Sequence, residues 1–430
     1  MDTRQEEKKQ KVVLGLDLTN DYAQISYFFL NQDEPDTLKA FQGEKYNIPV
    51  CLLKKYGVNQ WYYGEQAQKG KKENKGVFIT NLLKLAHDEK QISVDGTEVK
   101  TVALLSLFVK KCLSMLGILI QGFFVEAFMI TVDNFTEKTA EIMEGLKKEL
   151  PYESERIYVQ SHEESLFYYI VNQEKELWSR DVAVFEFLEG RLYSYLFTLN
   201  RKTTPHVAMI QREEYPQFVI SKDTDFMSDS LENDKRLDEK FLKLLEEFTR
   251  GKLISTVYLI GSGFEKEWYK ESLAFLCRTR RIFGGNNLYS KGACYSAREK
   301  IDPGYVSGKY LFLGNDKLKY NIGVMAVRGE EACVIPLLDA GVNWYEVKAE
   351  RDFFIDEGDA LELVVTSMYG QENTFQMNLD GLPKRPKKIT RLRLQLTMEN
   401  EHHLRIQVKD MGFGNFFLSS GKVWNGIIEV

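Results

Sequence analysis

The hydrophobic pattern changes period several times along the chain, and those changes divide it. After a charged tail over residues 1–11, Val12 to Leu18 is a short apolar run carrying one aspartate, Asp17, near its end. Gln24 to Leu30 follows the turn-forming Thr19, Asn20 and Asp21, which predicts strand, tight turn and strand. Leu52 to Lys55 and Trp61 to Tyr63 flank Tyr56-Gly57 and predict a second small hairpin; Gly64 to Lys75 reads as a polar, lysine-rich loop. Apolar residues at helical spacing over Val99 to Leu116 predict a helix ending at Gly117. Phe124 to Val132 is the next predicted strand. Thr136 to Leu150 is a helix capped by Thr136, with Pro151 beyond its end. A short strand over Ile157 to Val159 and a helix over Ser161 to Lys175 close this part as β-α-β-α.

From Asp181 the pattern restarts. Asp181 to Leu188, Leu192 to Leu199 and His206 to Gln211 predict three meander strands. Leu237 to Phe248 is a helix, Thr256 to Ile260 a buried strand, and Lys266 to Leu276 and Ser290 to Glu299 two further helices, the last reached through Gly284-Gly285-Asn286-Asn287. A meander followed by helices and parallel strands, occurring twice, predicts two lobes of one design. Past Pro303 the pattern is of short strands: Leu311 to Leu318, Tyr320 to Val327, Trp344 to Phe354, Ala360 to Ser367, Thr374 to Asn378, Ile389 to Glu399 and His403 to Lys409. The expected domains are therefore a tail over 1–11, a first lobe over 12–180, a second over 181–302 and an all-β sandwich over 303–430. The fold class is α/β plus all-β.

Composition narrows the function classes. At 430 residues the chain exceeds one compact core, and 43% hydrophobic with 28% charged residues is ordinary for a soluble globular protein. The net charge of -6 speaks against nucleic acid as a partner. The best basic cluster, Lys384, Arg385, Lys387, Lys388, Arg391 and Arg393, is broken by Pro383 and Pro386 and reads as a solvated loop and strand edge. The N-terminus lacks the apolar core of a signal peptide, and Gln121, Gly122 and Glu126 interrupt the longest apolar stretch, Leu113 to Val132, so the expectation is a cytoplasmic protein with no membrane partner. The five cysteines are scattered without a C-x-x-C pair, and His402 and His403 alternate faces on a strand, so no metal site is expected.

Several segments together resemble the DnaK-type heat-shock chaperones of the actin and sugar-kinase superfamily. Asp17 within Val12 to Leu18 sits where that superfamily carries its first phosphate loop. Val257 to Trp268 (VYLIGSGFEKEW) is similar to its adenosine motif, and Leu288 to Ala297 (LYSKGACYSA) to the alanine-rich helix that follows. Ile48 to Val50 and Trp61 to Ala67 match the extended segment and Gly-x-x-Ala turn of the first lobe. Phe375 to Asp410, with its Asn-Leu-Asp-Gly turn, resembles the substrate-binding sandwich; Asn315 to Gly323 and Val334-Ile335-Pro336 precede it in the same order. The resemblance implies an actin-like, ribonuclease-H-like two-lobed domain followed by a DnaK-like sandwich, with ATP and Mg²⁺ as the family's ligands and Asp17 orienting the metal through water.

The loops depart from the family at the chemistry. Thr19 stands where a glycine is usual and Asn20 where a hydroxyl is usual. In the second turn Glu186 replaces an aspartate, Leu188 and Glu189 replace glycines, Gly190 remains, Arg191 stands for a threonine and Tyr193 for the last aspartate. Glycine lets backbone N–H groups approach an anion. A carboxylate about 4 Å from a phosphate instead repels it by roughly 4 kcal/mol per unit charge at an effective dielectric of 20. Ser161 takes the place of the carboxylate that positions catalytic water, Glu163 and Glu164 read as surface charges, and the family's lysine falls near Lys84. Gly261-Ser262-Gly263-Phe264 is the best-kept nucleotide feature, and it is also what a closely packed strand-to-helix turn requires. Only 75 positions separate Glu186 from Gly261, fewer than the family's second lobe needs. Strand pattern continues to Val430, so the helical lid is expected to be missing, and Ile335, Leu337, Leu363 and Val365 are the candidate peptide groove, although alternating apolar residues equally mark core. The expectation is a degenerate ATPase that binds a protein partner or extended peptide; the alternatives are a slow genuine ATPase chaperone and a purely structural scaffold.

Overall fold

The computed structural model describes residues 10–40, 46–88, 90–117, 119–133, 135–188, 190–218, 231–285, 287–304, 306–314, 316–328, 331–355, 358–367, 370–400 and 402–430. It divides into a mixed α/β unit over 1–312 and an all-β antiparallel unit over 313–430.

The first lobe opens with β1 (Lys11–Leu18), β2 (Tyr22–Phe29), β3 (Asp36–Thr37) and β4 (Ile48–Pro49). A small sheet of β5 (Cys51–Lys55), β6 (Trp61–Tyr63) and β7 (Gly76–Thr80) encloses α1 (Gly64–Lys72), and α2 (Leu82–Asp88) and the hairpin β8 (Gln91–Val94) and β9 (Thr97–Lys100) follow. The segment expected to be a polar loop is thus a helix. Its alanine and two glycines, Gly64, Ala67 and Gly70, are buried, and a helix this thin-faced leaves almost no apolar periodicity to read. Then come α3 (Thr101–Ser114), β10 (Phe124–Val132), α4 (Glu137–Glu149), β11 (Ile157–Ser161) and α5 (His162–Val171). The main sheet runs β11-β10-β1-β2-β3, with β4 also on β2; β1, β10 and β11 are parallel, and β2 is antiparallel to β1.

The second lobe repeats this order. Strands β12 (Asp181–Leu188), β13 (Arg191–Asn200) and β14 (His206–Tyr215) form the meander, followed by α6 (Leu231–Thr249), β15 (Ile254–Ile260), α7 (Lys270–Cys277), β16 (Arg281–Gly285), α8 (Leu288–Ile301) and β17 (Tyr310–Phe312). The sheet runs β16-β15-β12-β13-β14-β17. Two expectations are corrected here. Gly284 and Gly285 end a strand rather than forming a loop, with Asn286 outside the described residues. Residues 310–312 do not open the β module but pair in parallel with His206–Ala208, which moves the boundary from 302 to 312.

Both sheets are covered on both faces, which is why β1 and β12 read as continuous apolar runs. One face of the first sheet packs on α3 and α4 through Leu104, Phe108, Ile142 and Leu146. One face of the second packs on α6 and α7 through Phe241, Leu245 and Leu276. Between the sheets lie α5 and α8: Leu166, Phe167 and Tyr289 face the second sheet, and Ala293, Cys294 and Ala297 face the first. Small residues let this middle layer close. A Cβ on Gly292 would stand 2.0 Å from the backbone oxygen of Ser165 on α5, and one on Gly15 only 2.2 Å from that of Ser290 on α8. Gly292→Ala is therefore expected to cost about 1–3 kcal/mol through forced separation of α5 and α8. Denaturant unfolding of the full chain checks this; an unchanged midpoint would remove the close crossing from the account.

The all-β unit contains β18 (Tyr320–Arg328), β19 (Glu331–Leu338), β20 (Lys348–Ile355), β21 (Ala360–Ser367), β22 (Glu372–Asn378), β23 (Thr390–Met398), β24 (His403–Asp410) and β25 (Val423–Glu429). They form two four-stranded antiparallel sheets, β19-β18-β21-β22 and β20-β23-β24-β25. One core joins them, with Ile322, Leu363 and Val365 from the first and Leu392, Leu394, Leu404 and Ile406 from the second. Strands β19 and β25 were given no bounds from the sequence: both lie at sheet edges with mostly exposed or half-buried residues, so burial imposes little pattern on them. The run from Trp344 begins as a 3-10 turn, and the strand starts at Lys348.

The basic cluster is not simply solvated. Arg385 makes a bidentate bond to the fully buried Asp410, both contacts 2.7 Å. The Nε of Arg391 and that of Arg393 donate to the two oxygens of Asp352 at 3.0 and 2.8 Å. Pairing of β20 with β23 sets Asp352 opposite Arg393, and Asp410 lies on the next strand, β24, a register that spacing along the chain does not reveal.

Candidate functional site

The C-terminal ends of the parallel strands of both sheets point into one region of the α/β unit, the position at which open α/β sheets gather polar side chains. Strand β1 delivers Asp17, β10 leads to Asp133, β11 leads into His162 at the start of α5, and β12 delivers Glu186. Helix α8 adds Tyr289, and β13 and β14 add Tyr195 and Arg212.

These groups bond to one another. His162, 2% exposed, sets Nε2 2.7 Å from Oδ1 of Asp17, which is 0% exposed. Its ring stacks on Tyr289, with centroids 3.9 Å apart and planes 12° from parallel. The hydroxyls of Tyr195 and Tyr289 donate to Glu186 Oε2 at 2.9 and 3.1 Å. Arg212 Nη1 lies 2.8 Å from Asp133 Oδ1, and its guanidinium sits over the rings of Tyr193 and Tyr195 at 4.7 and 5.5 Å. One lobe thus holds the other through Arg212–Asp133 and through the hydroxyls of Ser26 and Ser290, 2.8 Å apart.

The electrostatics follow from burial and pairing. Burial alone would lower His162; the hydrogen-bonded Asp17 carboxylate, with Asp133 and Glu186 behind it, overcomes this and holds it up at about 9. At neutral pH it is a buried imidazolium. Burial pushes Glu186 up against the pull of His162, and burial likewise pushes Glu163 up to about 7, with Arg212 opposing. Burial also raises the phenols of Tyr22, Tyr195 and Tyr289 well above their ordinary value, so they stay protonated, and the last two donate to Glu186.

Beside this network lies a cavity of about 630 Å³, lined among others by Asn20, Lys84, Asp133, His162, Arg191 and Arg212. The structure distributes the residues singled out in the sequence unevenly around it. Thr19, Asn20, Glu186 and Arg191 line it. The Thr19 hydroxyl is nevertheless committed to its own turn, bonding the Tyr22 carbonyl at 2.8 Å, and Asn20 Oδ1 accepts from the Lys84 backbone N–H at 2.8 Å. Arg191 is largely exposed, 3.6 Å from Glu214. Gly190, at φ 73, serves the β12–β13 turn, and Glu189 lies outside the described residues. Asp17 is buried behind His162.

Gly261 and Ser262 line a separate gap of about 10 Å³ that shares Glu186 and Leu188 with the large cavity. Gly261 has φ 91, and a Cβ there would lie 2.5 Å from the Phe187 carbonyl oxygen; one on Gly263 would meet the Phe187 ring at 2.5 Å. Phe264 belongs to the aromatic core around Trp268. This is the geometry of a closely packed turn. A gap of that size holds about one water, so neither ribose nor adenine fits there. With Asp17 already bonded to an imidazolium, the residues present do not fit a bound Mg-nucleotide.

Other expectations shift as well. Ser161 caps α5, accepting from the Glu164 N–H at 3.2 Å, and so is committed to the helix. Glu163 and Glu164 are not surface charges: Glu164 is 5% exposed, and the Glu163 carboxyl is mostly covered and 4.0 Å from Arg212. Helix α5 leaves the strand end between the lobes, so its first turn is interior. Of the candidate groove residues, Leu363 and Val365 are core, at 0% and 2% exposure, and Leu337 is packed against that core. Ile335 remains accessible at 40%, beside Val334, on the edge strand β19. Sequence reasoning missed His162, Asp133, Tyr289 and Arg212. The one available signal was a histidine directly after the capping serine at a strand-to-helix junction.

The family of unknown function DUF5716, C-terminal part, matches residues 34–315, more than half of the chain. The chain belongs to this family. A domain of unknown function, DUF8552, matches residues 317–430; the DUF5716 C-terminal region holds Asp133, His162, Glu186, Arg212 and Tyr289, Asp17 lies ahead of it, and the second domain coincides with the all-β unit. No curated protein matches this DUF5716 member. Among the described residues no group of three or more His, Cys, Asp or Glu side chains is placed to hold a metal ion, and no helix is long and apolar enough to cross a membrane.

Proposed function

We propose that this protein is an actin-like, DnaK-related pseudo-ATPase: a chaperone-like binding protein whose metal-orienting aspartate is tied up in an internal ion pair and which engages a protein partner or extended peptide in the cytoplasm. One observation carries the reading. The two strand-turn-strand units that would face a triphosphate converge instead on the buried series Asp17, His162, Tyr289 and Glu186. The repeated 3-2-1-4-5 order of the two sheets, with α5 and α8 between them, supports the actin-like frame, and two antiparallel sheets around one core support the sandwich. The accessible edge of β19, with Val334 and Ile335 exposed, supports binding of an extended segment by strand addition. In an actin-like ATPase the aspartate of the first strand must be free for the metal; here it is spent on an internal ion pair.

A slow genuine ATPase is the second reading, favoured by the large cavity beside Asn20 and Arg191. A single assay separates the two. The full chain with millimolar MgATP is expected to show no turnover above background and no thermal stabilisation, in wild type and in Asp17→Asn alike. Turnover in wild type that Asp17→Asn abolishes would end the pseudo-enzyme reading.

A further inference from the structure

The His162 ring carries a contradiction in its hydrogen bonding. Held as an imidazolium, it has two N–H donors. Nε2 is used on Asp17, whereas Nδ1 is buried and has no hydrogen-bond partner. Asp133 Oδ1 stands 3.8 Å away, too far for a hydrogen bond. Asp133 faces Arg212 instead: Nη2 donates to Oδ2 at 3.3 Å, and Nη1 stands 2.8 Å from Oδ1 as an ion pair that leaves Oδ1 without a hydrogen bond. All three side chains line the 630 Å³ cavity. Arg212 is therefore spent on a carboxylate that His162 also needs.

We propose that the cavity takes a small ligand presenting one oxyanion, a carboxylate or a phosphate group, on Arg212, and that Asp133, so released, closes onto His162 Nδ1. The exchange gives both N–H groups of His162 an acceptor. Arg212 trades one carboxylate for the incoming anion, and His162 becomes clamped between Asp17 and Asp133. The ligand-free state is neutral across the two pairs Asp17–His162 and Asp133–Arg212, and the added negative charge is met by Lys84 and Arg191 on the same cavity wall. Thr136, the cap of the 13-residue α4, and Thr139 in its first turn also line the space, so the positive end of that helix faces it. Asp21 and Asp88 line the cavity too and repel a second or third negative group, which selects a compact oxyanion over a polyphosphate. Stacking on Tyr193 and Tyr195 keeps the guanidinium plane in place during the exchange.

This inference rests on the reading above that the cleft no longer holds a nucleotide. Full-length protein carrying isotope-labelled histidine is titrated with acetate, with inorganic phosphate and with MgATP. The expected result is saturable binding of acetate or phosphate, with a hydrogen-bonded His162 Nδ1–H resonance appearing in step; which anion saturates assigns carboxylate or phosphate. Arg212→Gln is expected to abolish binding. Should that variant not fold, Asp133→Asn removes the internal competitor for Arg212 and is expected to tighten binding by about tenfold. A merely structural Asp133 would not do so. No saturable binding of either anion, or unchanged affinity in Asp133→Asn, overturns the inference and leaves the pseudo-ATPase reading untouched. MgATP binding with turnover would sink that reading, while tighter anion binding in Asp133→Asn would still support the exchange.

Discussion

Replacing His162 with glutamine is expected to lower the stability of the α/β unit by about 3–5 kcal/mol, the usual consequence of removing one partner of a buried ion pair. Asp17 is 0% exposed, and its Oδ2 already lacks a hydrogen-bond partner, so the lost imidazolium leaves a carboxylate with no route to water. The pH dependence has a definite sign. His162 is held at about 9 in the fold, above its ordinary value near 6.5. The stability it contributes is complete below about 6.5 and is lost as pH rises through about 9. Asp17, Asp133, Glu186 and Arg212 face this group, and the phenols of Tyr22, Tyr195 and Tyr289 are raised well above their ordinary value. Denaturant unfolding between pH 6 and 10, with hydrogen exchange assigning the loss to the α/β unit, is the measurement. Wild type should weaken more steeply over that range than His162→Gln, which keeps only the pH dependence of groups such as Glu163; parallel curves would show that the pair contributes nothing.

The second large effect lies in the other unit. Arg385→Ala is expected to cost about 3–5 kcal/mol there, again because a buried charge loses its partner. Asp410 is fully buried and accepts both Arg385 contacts together with the backbone N–H groups of Gly412 and Ser420 at 3.0 and 2.7 Å. Burial alone would raise its pKa; Arg385 and these N–H groups hold it well below the ordinary carboxylate range. Its contribution is therefore present above about pH 3.9 and is lost as pH falls through the depressed value. Arg385→Lys keeps the charge but not the planar fork, and should fall between wild type and alanine. Unfolding followed by hydrogen exchange in residues 390–429 reads the effect. If the alanine variant melts with wild type, Asp410 is satisfied by its backbone donors alone.

The two cases show how differently the sequence exposed its charges. The basic run from Lys384 to Arg393 was visible as a cluster, but its partners Asp352 and Asp410 sit on neighbouring strands. Pairing across strands depends on register, which the run itself does not encode. Asp17 was visible for the opposite reason: a lone carboxylate in an apolar strand is conspicuous. Its partner was not, since His162 lies 145 positions away and carries no local signature beyond Ser161 before it. Gly261 and Gly263 were legible as a tight turn, yet whether such a turn faces a ligand or packs on Phe187 depends on the neighbouring strand.

Periodicity by itself indicated the mixed α/β region and the switch to an all-β tail, because burial on one or both faces writes a repeat of two or 3.6 into the chain. It did not determine α1 or the bounds of β19 and β25, where thin or exposed faces leave little repeat. Only the tertiary structure brought Asp17, His162, Tyr289 and Glu186 together, since they come from four separate elements and meet where two sheets end. That meeting decides what the cleft can hold. A side chain's neighbours fix its charge and its free donors, and those neighbours are chosen by folding rather than by adjacency along the chain.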